Sequence, residues 1–218
     1  EYFVRQLLGL AEFRSRCEVT AFVPRGFVAA HPDVDSAVYV VESTSDCRSR
    51  LGRIGVENTW LARHTKHFDV VHHGGGTAPT GARRPFVLTI HDLQFLTHPQ
   101  YFSRVKRTYL GRAIPSSVRR ATVVTVPSEY VRRSVIDAYG ADPDAVMVVP
   151  HGIESELTSH VTPADELRSI YALGEGPVLV YPAVTHPHKQ HAFLLRMMAE
   201  HWTDPDLRLV LTGGAGAA

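Results

Sequence analysis

The sequence predicts an α/β protein with mostly parallel sheets, and three strand endings predict it. Phe86-Val87-Leu88 leads into Thr89-Ile90-His91-Asp92, Val148-Val149 into Pro150-His151-Gly152, and Leu179-Val180-Tyr181 into the polar segment Thr185-His186-Pro187-His188-Lys189-Gln190-His191. A parallel strand covered on both faces reads as a continuous apolar run, and in open α/β sheets ligands bind just beyond the strands' carboxyl ends. Three polar clusters therefore stand where an α/β enzyme does its chemistry.

The elements follow in order. Phe3, Leu7 and Leu10 fall at i, i+4 and i+7, one face of a helix. Strands are predicted at 19–23, 37–41, 68–72 and 86–90, with a helix over 50–64. Residues 104–120 read as a helix broken at Pro115, because proline lacks the N–H that a helix interior needs. A strand at 121–126 precedes Ser128, an N-cap for a helix whose stripe is Val131, Val135 and Tyr139 and whose stop is Gly140. Residues 146–149 close this first βα unit.

The pattern then restarts. A helix at 164–173, glycine punctuation at Gly174 and Gly176, a strand at 178–181, a helix at 188–202 and a strand at 207–211 make a second unit. Leu194, Met197, Met198 and Trp202 form that last helix's apolar stripe, which reads as core. The expected organisation is a first domain over 1–152, a linker over 153–163 and a second domain from 164 to 218, each with a βα alternation.

Composition narrows the class. The chain has 218 residues, 44% hydrophobic and 21% charged, enough for a sizeable core in one domain or two. A net charge of +1 gives no bulk field to recruit nucleic acid. Cys17 and Cys47 are too few for a disulfide framework and no apolar run approaches the eighteen or so residues of a membrane span, so a cytoplasmic location is expected. Between Leu93 and Ser128 there is no Asp or Glu, while Arg104, Lys106, Arg107, Arg112, Arg119 and Arg120 add positive charge. Such a stretch is either a solvated face or a contact for an anionic membrane or a lipid-phosphate acceptor.

Five segments in this order, TIHDLQ from Thr89, VPSEYVRRSVIDAYG from Val126, VVPHGIE from Val148, YPAVTHPHKQH from Tyr181 and LVLTGG from Leu209, together resemble the retaining GT-B glycosyltransferases of family 4. The Tyr181-Pro182-Ala183 opening and the Pro187-His188-Lys189 core look most like a bacterial mannosyltransferase branch. The resemblance implies a GT-B fold of two Rossmann-like domains, the first nearly complete but lacking its first strand, the second cut short. It also implies a strand and glycine-rich loop ahead of the first helix and a glutamate pair beyond Ala218. The chain is thus expected to be a fragment, inactive by itself, of an enzyme moving a hexose, with mannose the first choice, from a GDP- or UDP-sugar to a glycan or lipid-linked acceptor. No cofactor or metal is expected.

The resemblance also assigns residues. Charge builds on the departing diphosphate during sugar transfer, and Lys189, between a strand and a helix N-terminus, is placed to meet it. Thr185, His188, Gly152 and Gly213 join it as donor-binding candidates. Where the family usually carries a glycine-arginine pair ahead of this lysine, Ala183 and Val184 stand, which removes one phosphate-binding cation. Two roles are open to His91: base toward the acceptor hydroxyl, or hydrogen-bonding partner that holds the donor sugar. Asp92 either orients that imidazole or caps the next turn. His151-Gly152 reads as a tight turn in which glycine supplies an uncommon backbone conformation, with or without ligand contact.

Other features are read more plainly. His64, His67, His72 and His73, or His186, His188 and His191, do not make a convincing metal site without cysteine, and His72 and His73 fall on opposite faces of a strand. The glycine-rich run from Gly74 to Gly81 opens no helix and reads as a flexible loop rather than a phosphate loop. Two other classes stay open: a nucleotide-sugar-binding protein without catalysis, and a Rossmann-type oxidoreductase, although no glycine fingerprint is visible.

Overall fold

The computed structural model describes residues 2–152 and 161–214. The chain divides into two compact units, residues 1–151 and 152–218. The expected linker at 153–163 lies mostly outside the described residues. All strand pairs among the described residues are parallel.

In the first unit, α1 (Tyr2–Leu10) leads to β1 (Thr20–Val23), which pairs with β2 (Tyr39–Glu42) in a two-stranded sheet. Two short helices intervene, α2 (Phe27–Ala30) and α3 (Pro32–Ala37). Neither is legible in the sequence, because each is too short for a periodic stripe; α3 is held by Pro32 in its first turn and by Val34, which is fully buried. The stripe predicted for α1 is rotated: Val4 and Leu7 are buried with Ala21, Val23 and Val34, whereas Phe3 faces outward from that cluster. On the other side of this layer, Phe22 meets the rings of Trp60 and Phe68 edge-on. Trp60 belongs to a continuous helical run that starts as α4 (Arg50–Val56), widens to a π turn over Glu57–Leu61 and ends in α5 (Ala62–His64).

The larger sheet orders β3 (Val71–His73), β4 (Phe86–Thr89), β5 (Val123–Val126) and β6 (Val146–Val148) side by side. Its core is the set of runs read as buried strands: Phe86, Leu88, Ile90, Val124, Val126 and Val146 are all at most 3% exposed. After β4 come a short helix, α6 (Gln94–Thr97), and the long α7 (Arg104–Arg120). The predicted break at Pro115 is absent. Proline there costs about 3 kcal/mol in a helix interior, but Ile114, Ser117 and Val118 around it are buried, and aliphatic burial returns roughly 1.5–3 kcal/mol per side chain. The Arg84 guanidinium also donates to the carbonyls of Arg119 and Arg120 at the helix end.

The expected loose loop after β3 is tied down. Ala78 N donates to the Ser117 hydroxyl, Thr80 donates to Asn58 Oδ1, and Arg120 donates to the carbonyls of Pro79 and Thr80. Finally α8 (Glu129–Tyr139) forms as its caps dictate. Ser128 Oγ accepts from Val131 N, Val131 and Val135 face the core, and Gly140 takes the left-handed conformation at φ 61°.

The second unit contains α9 (Ala164–Ile170), β7 (Val178–Pro182), α10 (His191–His201) and β8 (Arg208–Thr212), with β7 paired to β8 from Val178↔Arg208 to Pro182↔Thr212. The half-buried face of α10 is the predicted one, Leu194, Met197 and Met198. The helix starts at His191 instead of His188, because Pro187–Lys189 form a separate 3-10 turn and Gln190 reverses the chain at φ 56°.

Candidate functional site

His91 follows β4 at the carboxyl end of the sheet. Its Nε2 lies 3.1 Å from the carbonyl oxygen of Gly74, which can only accept, so Nε2 carries a proton, and in the neutral tautomer this selects, Nδ1 is the acceptor. Three rings gather there: Tyr2 stands edge-on to His91 at 4.6 Å between centroids, and His151 lies 4.7 Å from Tyr2 and 5.6 Å from His91. Strand ends β4 and β6 and the first turn of α1 thus contribute one side chain each.

Beneath this cluster runs a polar chain. Gln6 Nε2 donates to His72 Nδ1 at 3.3 Å, His72 Nε2 lies 2.7 Å from Thr89 Oγ1, and Thr89 bonds Thr125 at 2.8 Å. Thr89 and Thr125 are register partners in β4 and β5, so the pairing of these strands brings their hydroxyls together. Burial first, and the neighbouring His91 second, hold the His72 imidazole below its usual pKa, so it is neutral near physiological pH. His73 points the other way, against Phe86 in the core, and burial pushes its pKa down to about 4.

Asp92 does not orient the imidazole. Its Oδ1 accepts from Gln94 N at 3.0 Å and caps the turn into α6. Gly152 is also plainer than expected, since it takes no left-handed backbone and a Cβ there would meet nothing within 4 Å. Sequence reading missed Tyr2, His72 and Gly74. The matched threonines at two strand ends were the available signal for a polar layer around His72; a single tyrosine at a helix start gave none.

In the second unit, the segment between β7 and α10 folds over the end of β8. Ala183 N donates to Thr212 O at 2.8 Å and Thr185 N to Gly214 O at 3.4 Å. Gly213, at φ 141°, is pressed so closely on this segment that a Cβ would lie 2.5 Å from the Ala183 carbonyl oxygen. The Tyr181 hydroxyl donates to Lys189 O at 2.6 Å, and His191 Nε2 donates to Ala183 O at 3.2 Å. Two aromatic side chains therefore fix the loop's backbone while the Lys189 side chain is exposed, with no acidic partner among the described residues. His186 and His188 stack at 5.6 Å. Thr185, His188, Lys189 and Gly213 are thus brought into one short region. Among the described residues no three His, Cys, Asp or Glu side chains gather to hold a metal ion.

Parallel βα units with polar clusters beyond the strand ends define a Rossmann-like protein of GT-B type, and solved structures agree on the fold. The Anabaena Alr3699/HepE structure in complex with UDP-glucose matches with a TM-score of 0.66 at 20% identity, over 98% of this chain and 57% of that one. A glycosyltransferase from Rickettsia africae matches at 0.55 and 14% identity, over 96% of this chain and 64% of that one. Residues 4–157 match the profile of Glycosyltransferase Family 4, and the chain belongs to that family. The oxidoreductase alternative falls with this assignment. Similar proteins include the D-inositol 3-phosphate glycosyltransferases of Kineococcus radiotolerans, 29% identical over 70% of this chain, and Acidothermus cellulolyticus, 30% identical over 67%. The alignments cover 39% and 36% of those relatives' lengths.

Proposed function

We propose that the chain is part of a retaining glycosyltransferase that moves a hexose from a nucleotide-sugar to a glycan or lipid-linked acceptor, and that acts in the cytoplasm. The observation that carries this reading is His91, whose Nε2–H is held by the Gly74 carbonyl so that Nδ1 is the free acceptor. An acceptor at that point can take a hydrogen bond from a sugar hydroxyl and hold the donor in reactive geometry, or receive the acceptor's proton. In the second unit, Lys189 is the candidate contact for the donor diphosphate. Its exposed ammonium neutralises the charge that grows on the diphosphate as the anomeric C–O bond breaks, with Thr185, His188 and Gly213 framing the same loop and Gly152 a lesser donor contact. Mannose is the sugar to which the resemblance of the Tyr181–His191 segment points, whereas the HepE complex with UDP-glucose supports a UDP-linked hexose. The inositol phosphate relatives support a phosphorylated polyol among the acceptors to be tried.

The full-length protein tests this with GDP-mannose and UDP-glucose, wild type against His91→Ala. Transfer from either donor with retained configuration, and a loss well beyond about fivefold in the variant at unchanged nucleotide affinity, is the expected result. A variant rate within about fivefold of wild type, worth about 1 kcal/mol, removes His91 from the reaction. One observation favours a second reading, a donor-binding protein without turnover: Ala183 and Val184 occupy the place of the family's usual glycine-arginine pair. Nucleotide binding with no transfer from any donor would select it.

A further inference from the structure

We propose that the N-terminal half of α7, with the groove beside it, is a docking surface for an anionic lipid bilayer. The first turn of this helix holds Arg104, Lys106 and Arg107 and no acid. Helix N-termini favour negative charge, so cations in this turn work against the helix that carries them. Ser103 caps this turn and Lys106 has the Phe102 ring, but Arg104 and Arg107 have no acidic partner among the described residues, and a local rule broken without an evident compensating gain marks positions kept for another purpose.

The exposed arc agrees. Arg104, Val105, Arg107, Thr108, Gly111 and Arg112 are the exposed residues between positions 104 and 112 and fall on one side of the helix, whereas Lys106 is drawn aside over the Phe102 ring at 4.6 Å. Val105 is 77% exposed among these guanidinium groups. Next to the arc is a groove of about 540 Å³ between α6 and α7, with Phe95 and Leu96 on one side and Arg104 and Arg107 on the other. Leu96 is 47% exposed at its rim. The six basic residues of the stretch do not act together, because Arg120 is committed to the carbonyls of Pro79 and Thr80 and lies over Phe86.

Cations interleaved with exposed aliphatic side chains match an interface of anionic headgroups and acyl chains. A nucleic acid would use the cations but has no use for Val105 and Leu96. No helix among the described residues is long and apolar enough to cross a membrane, so the contact proposed is peripheral.

Co-sedimentation of the protein with vesicles of phosphatidylcholine alone, and of phosphatidylcholine with an equal part of phosphatidylglycerol, provides the test. Binding to the mixed vesicles only is expected, falling at least about tenfold in Arg104→Glu/Arg107→Glu and severalfold in the charge-neutral Leu96→Gln/Val105→Gln. The Arg104→Glu/Arg107→Glu protein should melt no lower than wild type, since acids suit that helix end. Arg119→Glu, a charge reversal at the far end of the same helix, should bind as wild type does. Equal loss in Arg119→Glu would reduce the effect to net charge and overturn the proposal. So would unchanged binding in Leu96→Gln/Val105→Gln, or tighter binding to a single-stranded polynucleotide than to the mixed vesicles.

Discussion

The ring of Phe3 occupies the space that a Cβ on Gly74 would need, and the carbonyl of that same glycine holds His91. Gly74 is therefore fixed in identity by a neighbour and in function by what it accepts. Gly74→Ala forces the Phe3 ring aside; being 38% exposed, that ring can move, so the cost to folding stays near 1 kcal/mol. The carbonyl shifts with it, and His91 loses its anchor. In the complete enzyme turnover should fall at least about tenfold while the melting temperature changes little. Phe3→Leu in the same background should restore part of the rate. Full activity in Gly74→Ala would show that the Gly74–His91 bond has no part in catalysis.

Lys189→Ala should weaken both GDP and UDP by about tenfold, the loss of one charge-assisted contact to phosphate. Because charge on the leaving group grows toward the transition state, turnover should fall as well. Lys189→Arg should recover only a fraction, since a planar fork does not reproduce a compact ammonium. Calorimetry on full-length protein decides this: equal nucleotide affinities for wild type and Lys189→Ala would take the side chain out of the donor site.

His73 makes stability depend on pH. Its pKa in the folded protein is about 4 against the ordinary 6.5, chiefly because 94% of the residue is removed from solvent and the charged ring would be desolvated. Between these values the unfolded chain binds more protons than the folded one, so stability falls as pH falls. The contribution is whole above pH 6.5 and is lost by about pH 4, a change of about 3 kcal/mol, with His72 shifted in the same direction. Urea unfolding of wild type and His73→Leu at pH 7 and pH 4.5 should show a smaller drop in the variant. Parallel losses would mean that the acid sensitivity arises elsewhere.

What could be read from the chain depended on how local the cause was. Ser128 and Gly140 announced both ends of α8, because each acts on backbone within a turn of itself. The core runs at β4 and β5 were equally plain. Pro115 misled, since the burial of Ile114 and Val118 that overrides it is contributed by strands remote in sequence. The site divides the same way. His91 and Lys189 stood out by their place after apolar runs, but Tyr2, His72 and Gly74 acquire meaning only when α1 and β3 are laid beside β4. Gly152 shows the opposite error, a glycine given a conformational role that its backbone does not use.

The helix that carries Tyr2 also carries Val4 and Leu7, which are buried in the β1–β2 layer. The small layer and the imidazoles are thus attached to one rigid rod a few residues long. Aromatic rings shield nuclei near their faces and deshield those near their edges, so the proton resonances of His91 and His151 register where Tyr2 stands. Any loosening of β1–β2 that tilts α1 reaches these signals without a ligand being present. The two histidines serve, in effect, as a built-in gauge of whether the small sheet is in place.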